Sequence, residues 1–448
     1  MKRNKQMKIR RMTFLLAVIG FFGAFTLVGN TLAAQAVPTP APKQKGEILL
    51  KNGTIHLGNG QVVENGAVWI TDGKITQAGV LRGRVVVENT IDLQGAHVYP
   101  GLIAMATQIG LDEIEAVRAT DDRSETGAIN PNARAIVGYN TDSRVTPTVR
   151  SNGILMAQVA PQGGLFSGTS SVVQLDAWNY EDAAYQMDDA VHLRWPNLRI
   201  NRASWAPPAA KQQEEILRRL QLITTAMDEA VAYETARAAG RTVKHDLRWE
   251  ALGPVIRKEK PLYVYANSEK EIRSVLAFKL KYDVRIVLVG GAESWRLAEE
   301  LKSYEVPVVL RQVHSRPYRA DDDIDLPFRT PKLLKDAGVQ FCLGMRTFWD
   351  YRNLPFQAGT ATAYGLSQEE ALQAITLDAA RILGIDSTTG SLEPGKDATL
   401  VVSTGDLLDM RTSQVTAAYI QGRKIDLGNK QKALYEKYKA KYNSGPQE

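Results

Sequence analysis

Cysteine is nearly absent. Among 448 residues only Cys342 is present, so no disulfide can form within the chain and no multi-cysteine metal or iron–sulfur centre is available. Cys342 sits in the apolar run Val339-Gln340-Phe341-Cys342-Leu343 and reads as a buried structural thiol. Histidine is scarce as well. There are five, and His56, His97, His192 and His245 have no mutual spacing that builds a metal cluster; His97, just before Pro100, reads as structural. An excess of one charge is also lacking. Lys+Arg number 55 against 49 Asp+Glu, but Lys2, Arg3, Lys5, Lys8, Arg10 and Arg11 supply the surplus, and without them the count is 49 against 49. The basic balance therefore belongs to the extreme N-terminus and gives no support for nucleic-acid binding.

That N-terminus has its own character. A basic head is followed by an uncharged run from Met12 to about Ala34, and small residues at Ala33, Ala34 and Ala36 offer cleavage positions. Residues 1–36 are expected to be a signal peptide; a retained anchor is the alternative, because the run approaches the ~20 residues that span a bilayer. Arg10-Arg11 matches a twin-arginine signal only loosely, and no cysteine nearby can carry a lipid. The expected compartment is periplasmic or secreted, with no stable membrane span after cleavage. No later segment is long and apolar enough to cross a membrane. Val37-Pro38-Thr39-Pro40-Ala41-Pro42 begins an extended linker over 37–45.

The remaining ~410 residues exceed what one small core supports, so two domains are expected. Residues 46–98 are strand-rich: β-prone runs such as Ala67-Val68-Trp69-Ile70 alternate with Asn52-Gly53, Gly58-Asn59-Gly60, Asn65-Gly66 and Asp72-Gly73, all read as hairpin signals. The same texture returns over 391–427, in Ala398 to Val402 and Val415 to Ile420. Neither piece buries a sheet alone, so one composite β-sandwich domain built from both ends is predicted. A helical tail over 428–448 follows, its Lys/Tyr-rich stretch Lys430 to Lys441 forming a short amphipathic helix.

Between the two pieces, over 99–390, apolar strands alternate with helical segments. Gly153 to Val159, Leu262 to Ala266, Val284 to Val289, Val308 to Leu310 and Val339 to Leu343 read as strands; Glu214 to Ala239, Glu269 to Lys281, Ser294 to Ser303 and Ser367 to Leu383 read as helices. Nearly continuous apolar strands at this spacing predict an α/β fold with a parallel sheet, closed as a TIM-like (β/α)8 barrel; an open doubly wound sheet is the alternative. Either way the pocket belongs at the C-terminal ends of the strands.

Several segments combine in one pattern: Asn65-Gly66-Ala67-Val68 with Asp72-Gly73-Lys74-Ile75, then Val98-Tyr99-Pro100-Gly101-Leu102-Ile103, then Ala371 to Gly384 (ALQAITLDAARILG) and Gly390 to Ala398 (GSLEPGKDA). Over residues 46 to 427 the chain resembles the amidohydrolase superfamily, in particular its imidazolonepropionase-like and prolidase-like branches. The resemblance implies one or two divalent metals and hydrolysis of amide-like C–N bonds. It also implies where the ligands should stand, and each position is substituted. The aspartate and the His-x-His pair of the first barrel strand fall at Ala104, Ala106 and Gln108. The fifth-strand histidine falls at Tyr265, the sixth-strand histidine near Gly290 or Gly291, and the eighth-strand aspartate at Arg346. Metal-assisted hydrolysis lowers the pKa of bound water from about 15.7 toward neutrality. Alanine and glycine offer no donor, and a guanidinium cannot ligate a cation. No metal and no other cofactor is expected.

Few residues remain to carry chemistry. Arg346 either grips a carboxylate or developing oxyanion or fills the vacated space and pairs with Asp350. Pro161 to Ser171, rich in Gly and Ser, either presents N–H groups and hydroxyls to an anion or forms a tight turn without a ligand; no Gly-Lys-Ser/Thr ends it. His314 is an acid–base candidate or a plain loop histidine. Asp321-Asp322-Asp323 and Asp325 are a solvated loop, or a weak cation site that falls short of a calcium loop. Ser167, Ser170 and Ser171 lack the Gly-x-Ser-x-Gly elbow, which leaves a serine hydrolase as a weak third option. Arg346 and His314 are thus the catalytic candidates, and Gln108, Ser167, Gly168, Tyr265 and Arg346 the ligand-binding ones. Two readings follow: a metal-free pseudoenzyme that binds a small anionic or amide-like ligand, or supports a catalytic amidohydrolase partner or a homo-oligomer, and an active hydrolase of non-peptide or dipeptide-like carbon–nitrogen bonds with a non-standard site.

Overall fold

The computed structural model describes residues 39–83, 85–114 and 116–443; the expected signal peptide, residues 1–36, lies outside them. The chain opens with five strands of a mixed sheet, β1 (Glu47–His56), β2 (Val62–Thr71), β3 (Lys74–Gly79), β4 (Thr90–Asp92) and β5 (His97–Pro100). Asp72 (φ 47°) and Gly73 (φ 84°) both take left-handed backbone between β2 and β3, the geometry a two-residue hairpin turn needs. Asn52-Gly53 and Asn65-Gly66 do not turn the chain. They fall inside β1 and β2, where Gly53 pairs with Gly66 across a register shift. Asn52 (φ 59°) and Asn65 (φ 50°) there make bulges within two ten-residue strands, and the chain reverses instead between Leu57 and Gln61.

Eight strands then form the second sheet: β6 (Leu102–Thr107), β7 (Ile154–Val159), β8 (Phe166–Gln174), β9 (Ala184–Arg194), β10 (Leu262–Ala266), β11 (Ile286–Gly290), β12 (Val308–Arg311) and β13 (Phe341–Gly344), hydrogen-bonded in that sequential order. The alternation in β10 shows how the strands are used. Tyr263 and Tyr265 pack into an inner cluster with Ile103, Met105, Val287, Val309 and Cys342, while Val264 faces outward toward Leu288 and the helices. Cys342 is fully buried.

Two details differ from the sequence expectation. The sheet is not wholly parallel, because β8 runs antiparallel to both β7 and β9. Too few residues separate β7 from β8 for a crossover helix, so the chain simply turns back. The segment from Ser367 is not one helix but two, Gln368–Gln373 and Leu377–Leu383. The break serves the barrel. Leu343 N–H donates to the Ala374 carbonyl (2.9 Å) and Ile103 N–H to that of Ile375 (3.0 Å), so the interruption spans the gap between β13 and β6.

The chain returns to the first sheet through β14 (Leu400–Ser403), β15 (Val415–Ile420) and β16 (Arg423–Lys424). β14 lies antiparallel to β5, with Val401 opposite Tyr99, so the sheet is shared by both ends of the chain. Its core is Leu50, Ile55, Val68, Ile70, Val98 and Leu400. The last helix, Lys430–Asn443, has no buried residue.

Candidate functional site

The C-terminal ends of β9 to β13 surround a cavity of about 380 Å³ whose lining includes Arg194, Tyr265, Gly290, Arg311 and Arg346. Arg194 ends β9 and Arg311 ends β12, where the alternation that puts the strands' apolar side chains in the core delivers a long charged one to the mouth. The Arg194 Cζ lies 4.6 Å from the Tyr265 ring centroid and that of Arg311 5.8 Å from it, distances at which a cation is attracted to an aromatic face. Arg311 is fixed by donating from Nε to the Met345 carbonyl (2.8 Å) and from Nη2 to the Arg346 carbonyl (2.6 Å). Arg194 Nε is buried and has no hydrogen-bond partner. Burial, with added repulsion from Arg311, draws the Arg194 pKa below the ordinary guanidinium value.

Beneath the arginines, the Tyr265 hydroxyl meets His192 Nδ1 at 3.0 Å. His192 also stacks on Tyr263, with centroids 5.1 Å apart. Burial holds His192 neutral, its pKa pushed down to about 3. Its Nε2 and the Ser167 Oγ, on the neighbouring strand, are both buried without partners. Among the lining residues Asp322 brings a carboxylate, and it is engaged by Arg296 (3.1 Å) and by the Arg319 N–H (3.0 Å). No ion pair among the described residues involves Arg194, Arg311 or Arg346, so the expected alternative pairing of Arg346 with Asp350 is not made.

The candidates read from sequence separate on this geometry. Tyr265 and Arg346 line the cavity, with Arg346 exposed. Gln108 is buried, and its Nε2 points to the Ala160 carbonyl at 3.4 Å. Ala104, Ala106 and Gln108 do not share one face, because Ala106 adopts φ 49° and the pairing with β7 shifts register there; Ala104 packs outward and Ala106 inward. Gly168 is structural. Its φ is 136°, and a Cβ would collide with the Ala133 carbonyl. The Gly/Ser-rich stretch is no anion-binding loop, since from Phe166 it is strand β8, and the Gln162 and Leu165 N–H groups are taken by the Arg123 (2.6 Å) and Ala128 (2.7 Å) carbonyls. His314 turns to the helix Leu354–Thr362, its N–H donating to Gln357 (2.7 Å) and its Nε2 meeting Thr360, and it does not line the cavity. Sequence reasoning missed Arg194, Arg311 and His192; the available signal was an arginine closing a largely apolar run, in Ala190-Val191-His192-Leu193-Arg194 and Val308-Val309-Leu310-Arg311.

The residues present do not fit a divalent metal. Among those described, no group of three or more His, Cys, Asp or Glu side chains could hold one. Gly290 (φ 108°) has no room for an imidazole, as a Cβ would lie 2.5 Å from Asn267 Oδ1. Four guanidinium groups line the cavity, those of Arg194, Arg311, Arg316 and Arg346, and would repel a cation placed there.

Comparison with known proteins agrees with the architecture. A sequence model of the amidohydrolase family matches residues 327–425. An amidohydrolase, tasK, from Hapsidospora irregularis is 24% identical over 342 residues, 66% of this chain and 34% of that protein; the chain thus spans about a third of the length of that relative. A crystal structure of an amidohydrolase from Thermotoga maritima MSB8 superposes with a TM-score of 0.74 at 24% identity, covering 85% of this chain and 99% of that one. A prolidase complexed with N-methylphosphonate-L-proline gives 0.52 at 14% identity, covering 85% and 99%. An adenosine deaminase from Xanthomonas campestris with bound zinc gives 0.52 at 14%, covering 90% and 99%. The chain has the amidohydrolase-superfamily fold, with arginine, tyrosine, glycine and alanine where the resemblance expects metal ligands.

Proposed function

We propose that the protein is an exported, metal-independent member of this fold, a pseudoenzyme whose barrel mouth binds a small ligand rather than hydrolysing one through an activated water. The observation that carries the reading is that Tyr265 and Arg346, at two of the expected ligand positions, line the mouth together with Arg194 and Arg311, which flank the Tyr265 ring. A binuclear centre needs carboxylates and neutral imidazoles facing one point. Here fixed cations face it, and the nearest imidazole, His192, spends Nδ1 on Tyr265. The cavity itself persists, which supports retained binding over a collapsed site.

The test is elemental analysis of the purified chain together with a hydrolysis screen over dipeptides, N-acyl amino acids and cyclic amides. Substoichiometric metal and no turnover above background are expected. Stoichiometric zinc, with turnover that a chelator abolishes, would establish the hydrolase reading instead. The expected export is checked by locating the mature chain in the envelope or medium fraction.

A further inference from the structure

We propose that the ligand is a small organic carboxylate whose oxyanion is held by Arg194 and Arg311 at the face of Tyr265, with its apolar body against Val289, Leu310 and Leu326. The proposal rests on the metal-independent reading and names what such a site would take. Its physical basis is a charge substitution. Arg346 stands where the superfamily resemblance expects a metal-binding aspartate, and Arg194, Arg311 and Arg316 line the same cavity, so the mouth keeps a positive potential that is built from side chains. That potential is uncompensated within the described residues: Asp322 is engaged by Arg296, and Arg194 Nε is buried without a partner.

The geometry selects the ligand class further. Arg311 has committed Nε and Nη2 to backbone carbonyls, which leaves Nη1 for a ligand and fixes the group's orientation. Arg194 makes no side-chain hydrogen bond among the described residues; its Nε is buried, which leaves Nη1 and Nη2 to meet a planar carboxylate in bidentate fashion. A bare inorganic anion would leave most of a cavity of about 380 Å³ empty, and Val289, Leu310, Leu326 and Pro317 on its wall favour an apolar body. The unpartnered Ser167 Oγ and His192 Nε2 lie deeper, on paired strands.

The experiment is calorimetric titration of the full chain, with chelator present, using 3-phenylpropionate, cyclohexanecarboxylate and N-acetylproline, each beside its primary amide, and inorganic phosphate alone. At least one carboxylate should bind, with its amide at least about tenfold weaker, because only the acid recruits both guanidinium groups. Arg194→Gln and Arg311→Gln should each weaken that acid by about tenfold or more. Without ligand, Arg194→Gln should change the thermal unfolding midpoint little, since the loss of its contact with the Tyr265 ring is offset by removal of a partly buried charge that has no ion pair; a large fall would mark Arg194 as structural and overturn the proposal. Equal binding of acid and amide, phosphate binding as tightly as the best acid, or no binding by any of the three acids would each overturn it too. Because chelator is present throughout, a chain that holds metal and turns over substrate would fail the earlier test while leaving this one free to succeed or fail separately.

Discussion

The guanidinium of Arg194 lies over the ring of Tyr265, 4.6 Å from its centroid, while the hydroxyl of the same tyrosine meets His192 Nδ1 at 3.0 Å. One side chain therefore supports the arginine with its face and ties down the imidazole with its edge. The two roles separate by substitution. Tyr265→Phe keeps the ring but strands His192, and should cost about 1–3 kcal/mol of stability while carboxylate affinity changes little. Tyr265→Ala loses the platform as well, and affinity should fall with stability. Urea denaturation and titration of both variants would check this; a large affinity loss in Tyr265→Phe would show that the hydroxyl itself contacts the ligand.

Deeper in the barrel, Asp189 accepts hydrogen bonds from Ser170 Oγ (2.7 Å) and Gln158 Nε2 (2.6 Å). Burial outweighs both bonds and raises its pKa from 3.8 to about 6. A carboxyl raised on folding holds its proton more tightly in the native state. Its contribution is therefore fully present below about pH 4 and is lost as pH rises through about 6, amounting to about 3 kcal/mol. Asp189→Asn mimics the protonated form, its amide nitrogen facing Ser170 and its oxygen accepting from Gln158. Denaturation from pH 4 to 8 should show a falling contribution in the parent chain that the variant lacks. An identical pH profile for the two would refute the assignment.

A second buried carboxylate joins distant parts of the chain. Asp176 pairs with Arg150 through Oδ1 (2.8 Å) and with Arg423 of β16 through Oδ2 (2.8 Å), and it accepts the Ala41 N–H at 3.0 Å. Arg150 and Asp176 are both buried. Asp176→Ala leaves a buried cation without its anion and should destabilise by about 3–5 kcal/mol. Asp176→Asn, which keeps the acceptor oxygen, should cost less. Denaturant midpoints rank the three chains, and equal midpoints would show that the pair contributes nothing net.

Much of this architecture was readable in the sequence, and the unreadable parts have physical causes. The apolar strands Leu262–Ala266, Ile286–Gly290, Val308–Arg311 and Phe341–Gly344 announce themselves because both of their faces are buried. Strand β9 was missed because its buried interior carries Asp189 and His192, whose partners Gln158, Ser170 and Tyr265 lie on other strands and meet them only after folding. Strand β8 was taken for a loop because its serines and glycine line a crowded barrel wall, where their small size is what fits. The substituted metal positions were visible at Tyr265 and Arg346. Arg194 and Arg311, which decide the charge of the mouth, became visible only once strand register placed them beside Tyr265.

The C-terminal helix offers a test of what holds the fold together. Residues Lys430–Asn443 include five lysines against one glutamate, and Leu434, Tyr435, Tyr438 and Tyr442 are all exposed. Among the described residues it is tied to the barrel by a hydrogen bond from Thr148 Oγ1 to Gln431 Oε1 at 3.1 Å, next to one from Asn429 Nδ2 to Ser151 Oγ at 2.9 Å. With nothing buried, hydrophobic stabilisation is nearly nil, and an isolated helix of this length is marginal in water. Ending the chain after Asn429 should therefore change the unfolding free energy by less than about 1 kcal/mol, the size of one net hydrogen bond. Equilibrium urea denaturation of the shortened chain measures this. A loss well beyond that size would mean that the tyrosine face packs against its own barrel or a second copy in solution, and its dependence on protein concentration would say which.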